Sequence, residues 1–318
     1  MPLIERSNYR RPYYLFNAHL ETVVPSMFRK IEGVDYTRER LELTDGDFVD
    51  LDWVNKGSDK LVIISHGLEG NSTRHYVKGM AKYFAARGCD ALAWNCRSCS
   101  GEINRLPRFY HHGDTGDLRA VINHATATKR YREIVLVGLS MGGSMTVKYL
   151  GEGGDTSNLV TKAVVYSVPC HLSSSAKELD KPSKSFYRDR FMRKLSKKIQ
   201  MKAALFPDVV SHAGFENIKT FQQFDDSYTA PLHGFDDAED FYRRASAQNY
   251  LDGLRHPVLL VNALNDPFLT KQCYPFEAAQ RSRYLYVETP ATGGHVGFTL
   301  GGKEENWMEV RAFEWSSK

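Results

Sequence analysis

Residues 133–150 constrain the fold of this chain more than any other stretch. Glu133-Ile134-Val135-Leu136-Val137 is an apolar run, Gly138-Leu139-Ser140-Met141-Gly142 is a turn built on small residues, and Gly143 to Leu150 reads as a helix. A strand that passes straight into a helix through Gly-x-Ser-x-Gly describes a nucleophile elbow, where small neighbours let a serine sit on a sharp, strained bend. Such a bend holds Oγ clear of the sheet, and the helix N-terminus behind it offers amide N–H groups to developing negative charge. The five-residue string alone is common and also fits an ordinary glycine-rich turn, so the flanking strand and helix give it its meaning.

A serine hydroxyl is a weak nucleophile and needs a base, which in turn needs an orienting group. The C-terminal third offers both. His256 to Leu264 reads as a buried parallel strand followed by Asn265-Asp266-Pro267, and Arg283 to Val287 reads as another strand leading to the loop Thr292-Gly293-Gly294-His295-Val296-Gly297-Phe298. Ser140, then Asp266, then His295 is the chain order of the α/β-hydrolases. Asp-Pro after a strand also fits a plain turn, and a histidine in a glycine-rich loop need not be functional. Taken together, each after its own strand, the three are expected at one edge of a parallel sheet, where open α/β sheets place their sites. Lys60 to Ser65 is a further apolar strand running into His66-Gly67-Leu68-Glu69-Gly70. A turn of this kind sets a backbone N–H across from the one after the nucleophile, so the amides of Leu68 and Met141 are the expected oxyanion donors, with His66 an anchor of the turn.

With these residues in view, the chain resembles the YheT-like subfamily of the α/β-hydrolases, related to eukaryotic membrane-anchored abhydrolase esterases and phospholipases and to yeast medium-chain ethyl-ester synthases. The likeness runs through Asn17 to Pro25, His66 to Gly70 with Tyr76, Asn95 to Asn104, Tyr110-His111, Thr229 to Phe235 and Tyr242 to Ser246. Ser98 stands where glycine is usual in that subfamily, and His112 where a small residue is usual. The resemblance implies an α/β-hydrolase fold and a serine carboxylic-ester hydrolase acting through an acyl-serine, on medium-chain acyl esters or lipids. Two alternatives stay open: an acyltransferase that resolves the same acyl-enzyme with an alcohol, and a non-catalytic ligand-binding sensor. No metal or organic cofactor is expected.

The rest of the chain agrees with an α/β fold. Arg40 to Leu43 and Phe48 to Val54 read as an antiparallel hairpin around Asp45-Gly46, and from Leu61 onward apolar runs alternate with amphipathic stretches. That alternation implies βαβ units, a mostly parallel central sheet and helices on both faces. Strand signals stop between Val168 and about Gln248, so residues 1–169 and 248–318 are expected to form the core and 170–247 a lid insertion. The insert carries Lys181, Lys184, Arg188, Arg190, Arg193, Lys194, Lys197, Lys198 and Lys202 against Asp189, while Tyr187, Phe191, Leu195 and Ile199 recur every fourth residue. The spacing predicts a helix whose apolar stripe faces an acyl pocket and whose lysines face water. Such a basic amphipathic helix can also make weak peripheral contact with an anionic membrane, although a solvated charged face explains it as well.

A net charge of +4 from 42 basic and 38 acidic residues, with no nucleic-acid-binding signature, argues against DNA or RNA as a partner. The expected partner is a small-molecule or lipid ester; oligomeric state is not legible. Five cysteines without framework spacing point to a reducing compartment, and Cys96-x-x-Cys99 lacks the second pair that a tetrahedral metal site needs. With no run of 18 or more apolar residues and no apolar stretch near the N-terminus, the expectation is a cytoplasmic protein without a membrane anchor. His112 and Asp117 form an H-x-x-x-x-D string, but Asp114 or Asp117 is expected to cap the helix through Leu118 and Val121.

Overall fold

The computed structural model describes residues 2–154 and 156–317. In chain order the strands are β1 (Leu3–Ile4), β2 (Thr37–Glu42), β3 (Phe48–Val54), β4 (Lys60–Ser65), β5 (Asp90–Asn95), β6 (Glu133–Leu139), β7 (Val160–Tyr166), β8 (Val258–Val261) and β9 (Leu285–Glu288). They make one nine-stranded sheet in the order β1-β9-β8-β7-β6-β4-β5-β3-β2. The β2–β3 and β3–β5 pairs are antiparallel, and every other pair is parallel. The chain is an α/β-hydrolase by architecture.

Period-two alternation explains how the central strands serve two cores at once. Val62, Ile64, Val135, Val137, Val164 and Tyr166 pack on one face with α2 (His75–Ala85) and α11 (Trp307–Ser316). Leu61, Ile63, Ile134, Leu136, Ala163 and Val165 pack on the other with α3 (Thr115–Thr128) and α4 (Met141–Gly151). Most of these side chains are fully buried, and each Val, Leu or Ile among them contributes roughly 1.5–3 kcal/mol of hydrophobic stabilisation.

The strand order also decides where a site can form. From β4 the chain crosses α2 to β5 on one side; from β6 it crosses α4 to β7 on the other. Neighbouring β4 and β6 therefore flank the point where the winding reverses, the crevice where doubly wound sheets bind ligands. Ser65 at the end of β4 stands in register with Gly138 near the end of β6, while Tyr166, Val261 and Glu288 continue the same edge through β7, β8 and β9.

Before the first long strand, α1 (Ala18–Phe28) is capped by the Asn17 side chain, which accepts from the Leu20 N–H. Between β7 and β8, no strand occurs among the described residues. The chain makes α5 (Leu172–Leu179), α6 (Ser185–Leu205), α7 (Phe221–Phe224), a π-turn at Asp225–Thr229, α8 (Ala230–His233) and α9 (Ala238–Ala245). The remaining helix, α10 (Phe276–Arg281), links β8 to β9.

Helix α6 carries Tyr187, Leu195 and Ile199 inward, as the four-residue spacing predicts, but not every lysine faces water. Lys198 is buried against Glu69, and the fully buried Lys202 donates to the carbonyl oxygens of Asn104 (2.9 Å) and Leu106. The expected caps of α3 are also corrected. Asp114 occupies the N-cap position but makes no side-chain cap bond; it pairs with Arg108, and Asp117 pairs with Arg97. A guanidinium outcompetes a backbone amide for a buried carboxylate because both partners are charged.

Candidate active site

Ser140 sits at φ 55° and ψ −118° between β6 and α4. The two glycines of the motif are there for space. A Cβ on Gly138 would lie 2.5 Å from Gly142 O, and one on Gly142 would lie 2.2 Å from Ser65 O. Only hydrogen at both positions lets β6 turn this tightly and pass against the end of β4. The Ser140 N–H is tied to Tyr166 O at 2.8 Å, which fixes the bend to β7.

The turn after β4 is held by three neighbours, Cys96, Tyr76 and Tyr110, and by bonds of its own. The Cys96 N–H donates to His66 Nε2 (3.1 Å), so Nδ1 carries the proton and donates to Gly67 O (2.7 Å). Burial keeps this ring neutral and pushes its pKa down to about 4, which suits an anchor. Gly67 N–H donates to the Tyr76 hydroxyl, Glu69 N–H to the Tyr110 hydroxyl, and Gly70 N–H to Gly67 O. The amides of Leu68 and Met141 make no hydrogen bond among the described residues, while those of Gly67, Glu69, Gly70, Ser140 and Gly143 are taken. Leu68 and Ser140 line the same cavities.

Asp266 follows β8 and His295 follows β9. His295 Nε2 lies 2.9 Å from Ser140 Oγ, and Nδ1 lies 2.9 and 3.1 Å from the Asp266 carboxylate oxygens. With Nδ1–H directed at the carboxylate, Nε2 presents a lone pair to the serine hydroxyl. Asp266 also accepts from the Phe268 N–H at 2.9 Å, and the Phe268 ring stacks on the imidazole at 4.1 Å between centroids.

Several residues that position this cluster carry no signal of their own in the sequence. Glu21 of α1 accepts from the Gly293 N–H (2.6 Å) and from Asn265 Nδ2 (2.9 Å), and Thr22 Oγ1 accepts from the His295 N–H (2.9 Å). Ser167, after β7, accepts from the Val296 N–H at 2.9 Å. Glu21 and Thr22 fall inside the Asn17–Pro25 segment that carries part of the family likeness, the one hint available beforehand. Ser98, where glycine is usual, adopts φ 61°, and its hydroxyl bridges to Asn104, replacing conformational freedom with a local hydrogen bond.

Two cavities meet at Ser140 and His295. One is mostly apolar, lined by Leu172, Leu179, Phe191, Leu195, Ile199, Phe221, Phe224 and Phe241. Its polar groups are neutralised or paired. Tyr242 and Thr229 donate to Asp225, whose carboxyl burial pushes up to about 7, and burial holds the His112 ring neutral by lowering its pKa to about 4. Phe215 and Tyr228 pack on each other instead of lining this space. The other cavity is rimmed by Arg74, His75, Arg190 and Lys194.

Among the described residues, no group of three or more His, Cys, Asp or Glu side chains is placed to hold a metal ion, and all five cysteines are free and buried. No helix is long and apolar enough to cross a membrane among those residues.

A family model described as serine aminopeptidase, S33, matches residues 56–271. Over 94% of its length the chain is 33% identical to YheT, a candidate esterase of Escherichia coli, covering 90% of that protein. It is 27% identical to phospholipase ABHD3 of Mus musculus, covering 84% of this chain and 67% of that one, and 27% identical to the monoacylglycerol lipase of Saccharomyces cerevisiae, covering 78% and 56%. Among solved structures, the Pyrococcus furiosus esterase Pf2001 superposes with a TM-score of 0.57 at 18% identity, covering 91% of this chain and 93% of that one. That last likeness is one of fold.

Proposed function

The chain belongs to the α/β-hydrolase family described as serine aminopeptidase, S33, in which it is YheT-like, and from that membership we propose that it is a serine carboxylic-ester hydrolase working through Ser140, His295 and Asp266. The observation that carries this reading is the hydrogen-bonded chain of Ser140 Oγ, His295 and Asp266, joined by contacts of 2.9 Å at each nitrogen, beside the amides of Leu68 and Met141, unengaged among the described residues.

In this mechanism His295 Nε2 takes the Ser140 proton as Oγ attacks the ester carbonyl, and Asp266 holds the imidazole in the tautomer that makes this possible. The carbonyl oxygen becomes an oxyanion held by the Leu68 and Met141 N–H groups, each worth about 3 kcal/mol to the transition state. Collapse breaks the acyl–oxygen bond, and His295 returns its proton to the leaving alkoxide. Water then attacks the acyl-serine with the same base, releasing the acid and restoring Ser140. The apolar cavity under α5, α6 and α7 fits the acyl chain, which makes medium-chain acyl esters the favoured class and residues 170–247 a lid over it.

The test is hydrolysis of p-nitrophenyl esters from acetate to palmitate, with Ser140→Ala alongside. A rate maximum at intermediate chain length is expected, with kcat falling by about 10^4–10^6 in the variant. Equal turnover by Ser140→Ala would remove the nucleophile assignment. Products formed with added ethanol separate hydrolysis from acyl transfer.

A further inference from the structure

The cavity rimmed by cations has a composition that ester hydrolysis alone does not require. Arg74, Arg190 and Lys194 line it together with Ser140 and His295. Among the described residues, none of the three is paired with a carboxylate. Arg74 bonds the neutral hydroxyls of Ser26 (3.2 Å) and Tyr76, Lys194 donates to the backbone oxygen of Glu69 (2.8 Å), and Arg190 has no ion-pair partner among the described residues. Among the described residues, Glu69 is the only acidic side chain lining the cavity, and it is committed to Lys198 at 2.6 Å and to the Tyr110 hydroxyl. Burial, and after it the positive charge of Arg74, hold Arg190 and Lys194 below their ordinary pKa values. His75, 92% buried on the same wall, keeps an Nδ1 atom without a hydrogen-bond partner.

Half-buried like charges destabilise a fold unless something brings the opposite sign. Arg74 at the start of α2 and Arg190 and Lys194 of α6 line a cavity that reaches the candidate serine, whereas Arg193 and Lys197 of α6 are exposed. The neighbouring apolar cavity takes the acyl chain in the reading above, so this one is left for the alcohol portion. We propose that it is a leaving-group subsite for an anion: the substrate is an acyl ester whose alcohol carries a terminal phosphate or carboxylate, held by Arg74, Arg190 and Lys194. The inference rests on the esterase reading and narrows it to one substrate class. An arginine pair can grip either oxyanion bidentately, so the two anions share one recognition chemistry.

The test uses three soluble hexanoyl esters: of glycerol, of glycerol 3-phosphate and of glyceric acid. For the wild-type protein, kcat/KM is expected to be at least about tenfold higher for one or both anionic esters, as charge-assisted hydrogen bonds allow. That ratio should shrink with added NaCl and collapse towards one in Arg190→Gln and Arg74→Gln, with Arg190→Lys retaining part of it. The phosphate and carboxylate arms identify which anion the site prefers. Equal kcat/KM for neutral and anionic esters overturns the proposal, as does a ratio that survives both Gln variants or a preference that arises only on anionic vesicles. Calorimetric binding to Ser140→Ala separates this from the chemistry. Equal affinity for the three esters overturns the subsite even where all are hydrolysed. Anion-selective binding without turnover of any ester by the wild type supports the subsite and overturns the esterase reading.

Discussion

Backbone strain in this molecule is concentrated on a few residues. Among the described residues, the non-glycine positions with positive φ are Glu69, Ser140, Ser167, Val296 and Phe298, which flank the candidate site, and Ser98. Such conformations cost about 1–3 kcal/mol each, and surrounding bonds must hold them. For the histidine loop those bonds come from α1. Removing them in Glu21→Ala frees the Gly293 amide and Asn265, so the imidazole loses its seat without losing its chemistry. The expected result is a kcat lower by about 10^2 with KM little changed, read from ester hydrolysis, because misplacement by about 1 Å has that effect. An unchanged kcat would mean that the loop holds itself. Ser140, Asp266 and His295 were legible because each follows a strand and their order is diagnostic. Glu21 was not, since its role exists only through a contact with residues more than 240 positions away.

At the scale of elements, α6 both lines the apolar cavity and ties into the loops beside the candidate site. Its apolar stripe was legible from four-residue spacing, yet Lys198 and Lys202 could not be told from their solvated neighbours. What buries them is the placement of Glu69 and of the Asn104 and Leu106 carbonyls on loops remote in sequence. Lys198 is shielded and paired with a shielded carboxylate, so Lys198→Met should leave Glu69 charged and unmatched, costing about 3–5 kcal/mol. Urea unfolding measures this directly, with exposed Lys197→Met as the comparison, expected to stay within about 0.5 kcal/mol of wild type. A similar midpoint for both variants would show that the pair does not hold the helix. The capping role expected of Asp114 failed for a related reason: Arg97 and Arg108 compete for the carboxylates at the start of α3.

For the whole molecule, the parallel sheet was legible in its apolar runs, and the order of its strands was not, because order depends on which crossovers pack. Proton linkage also acts at this scale. Burial lowers His66 and His112 to about 4 and His75 to about 3, and pushes His111 well down. Unfolded, these rings take up protons near pH 6.5, whereas folded they stay neutral well below that pH. The unfolded state therefore binds more protons in that window, and stability falls as pH drops through it, by about 1.4 kcal/mol per pH unit for each ring. Asp225 and Asp117, raised to about 7 and about 6, act in the opposite sense, since the folded state holds their protons longer. The histidines outnumber them, so the urea midpoint should fall from pH 7 to pH 5. A flat or rising midpoint would mean that some of these rings are charged when folded.

The sheet has two margins, and both are poor templates. At one end β1 is two residues long; at the other β2 presents Arg38, Glu39, Arg40 and Glu42 along a mostly exposed ribbon. A strand from another copy would find too little length on one side and a row of mixed charges on the other. Both margins thus discourage a tenth strand from adding to the nine.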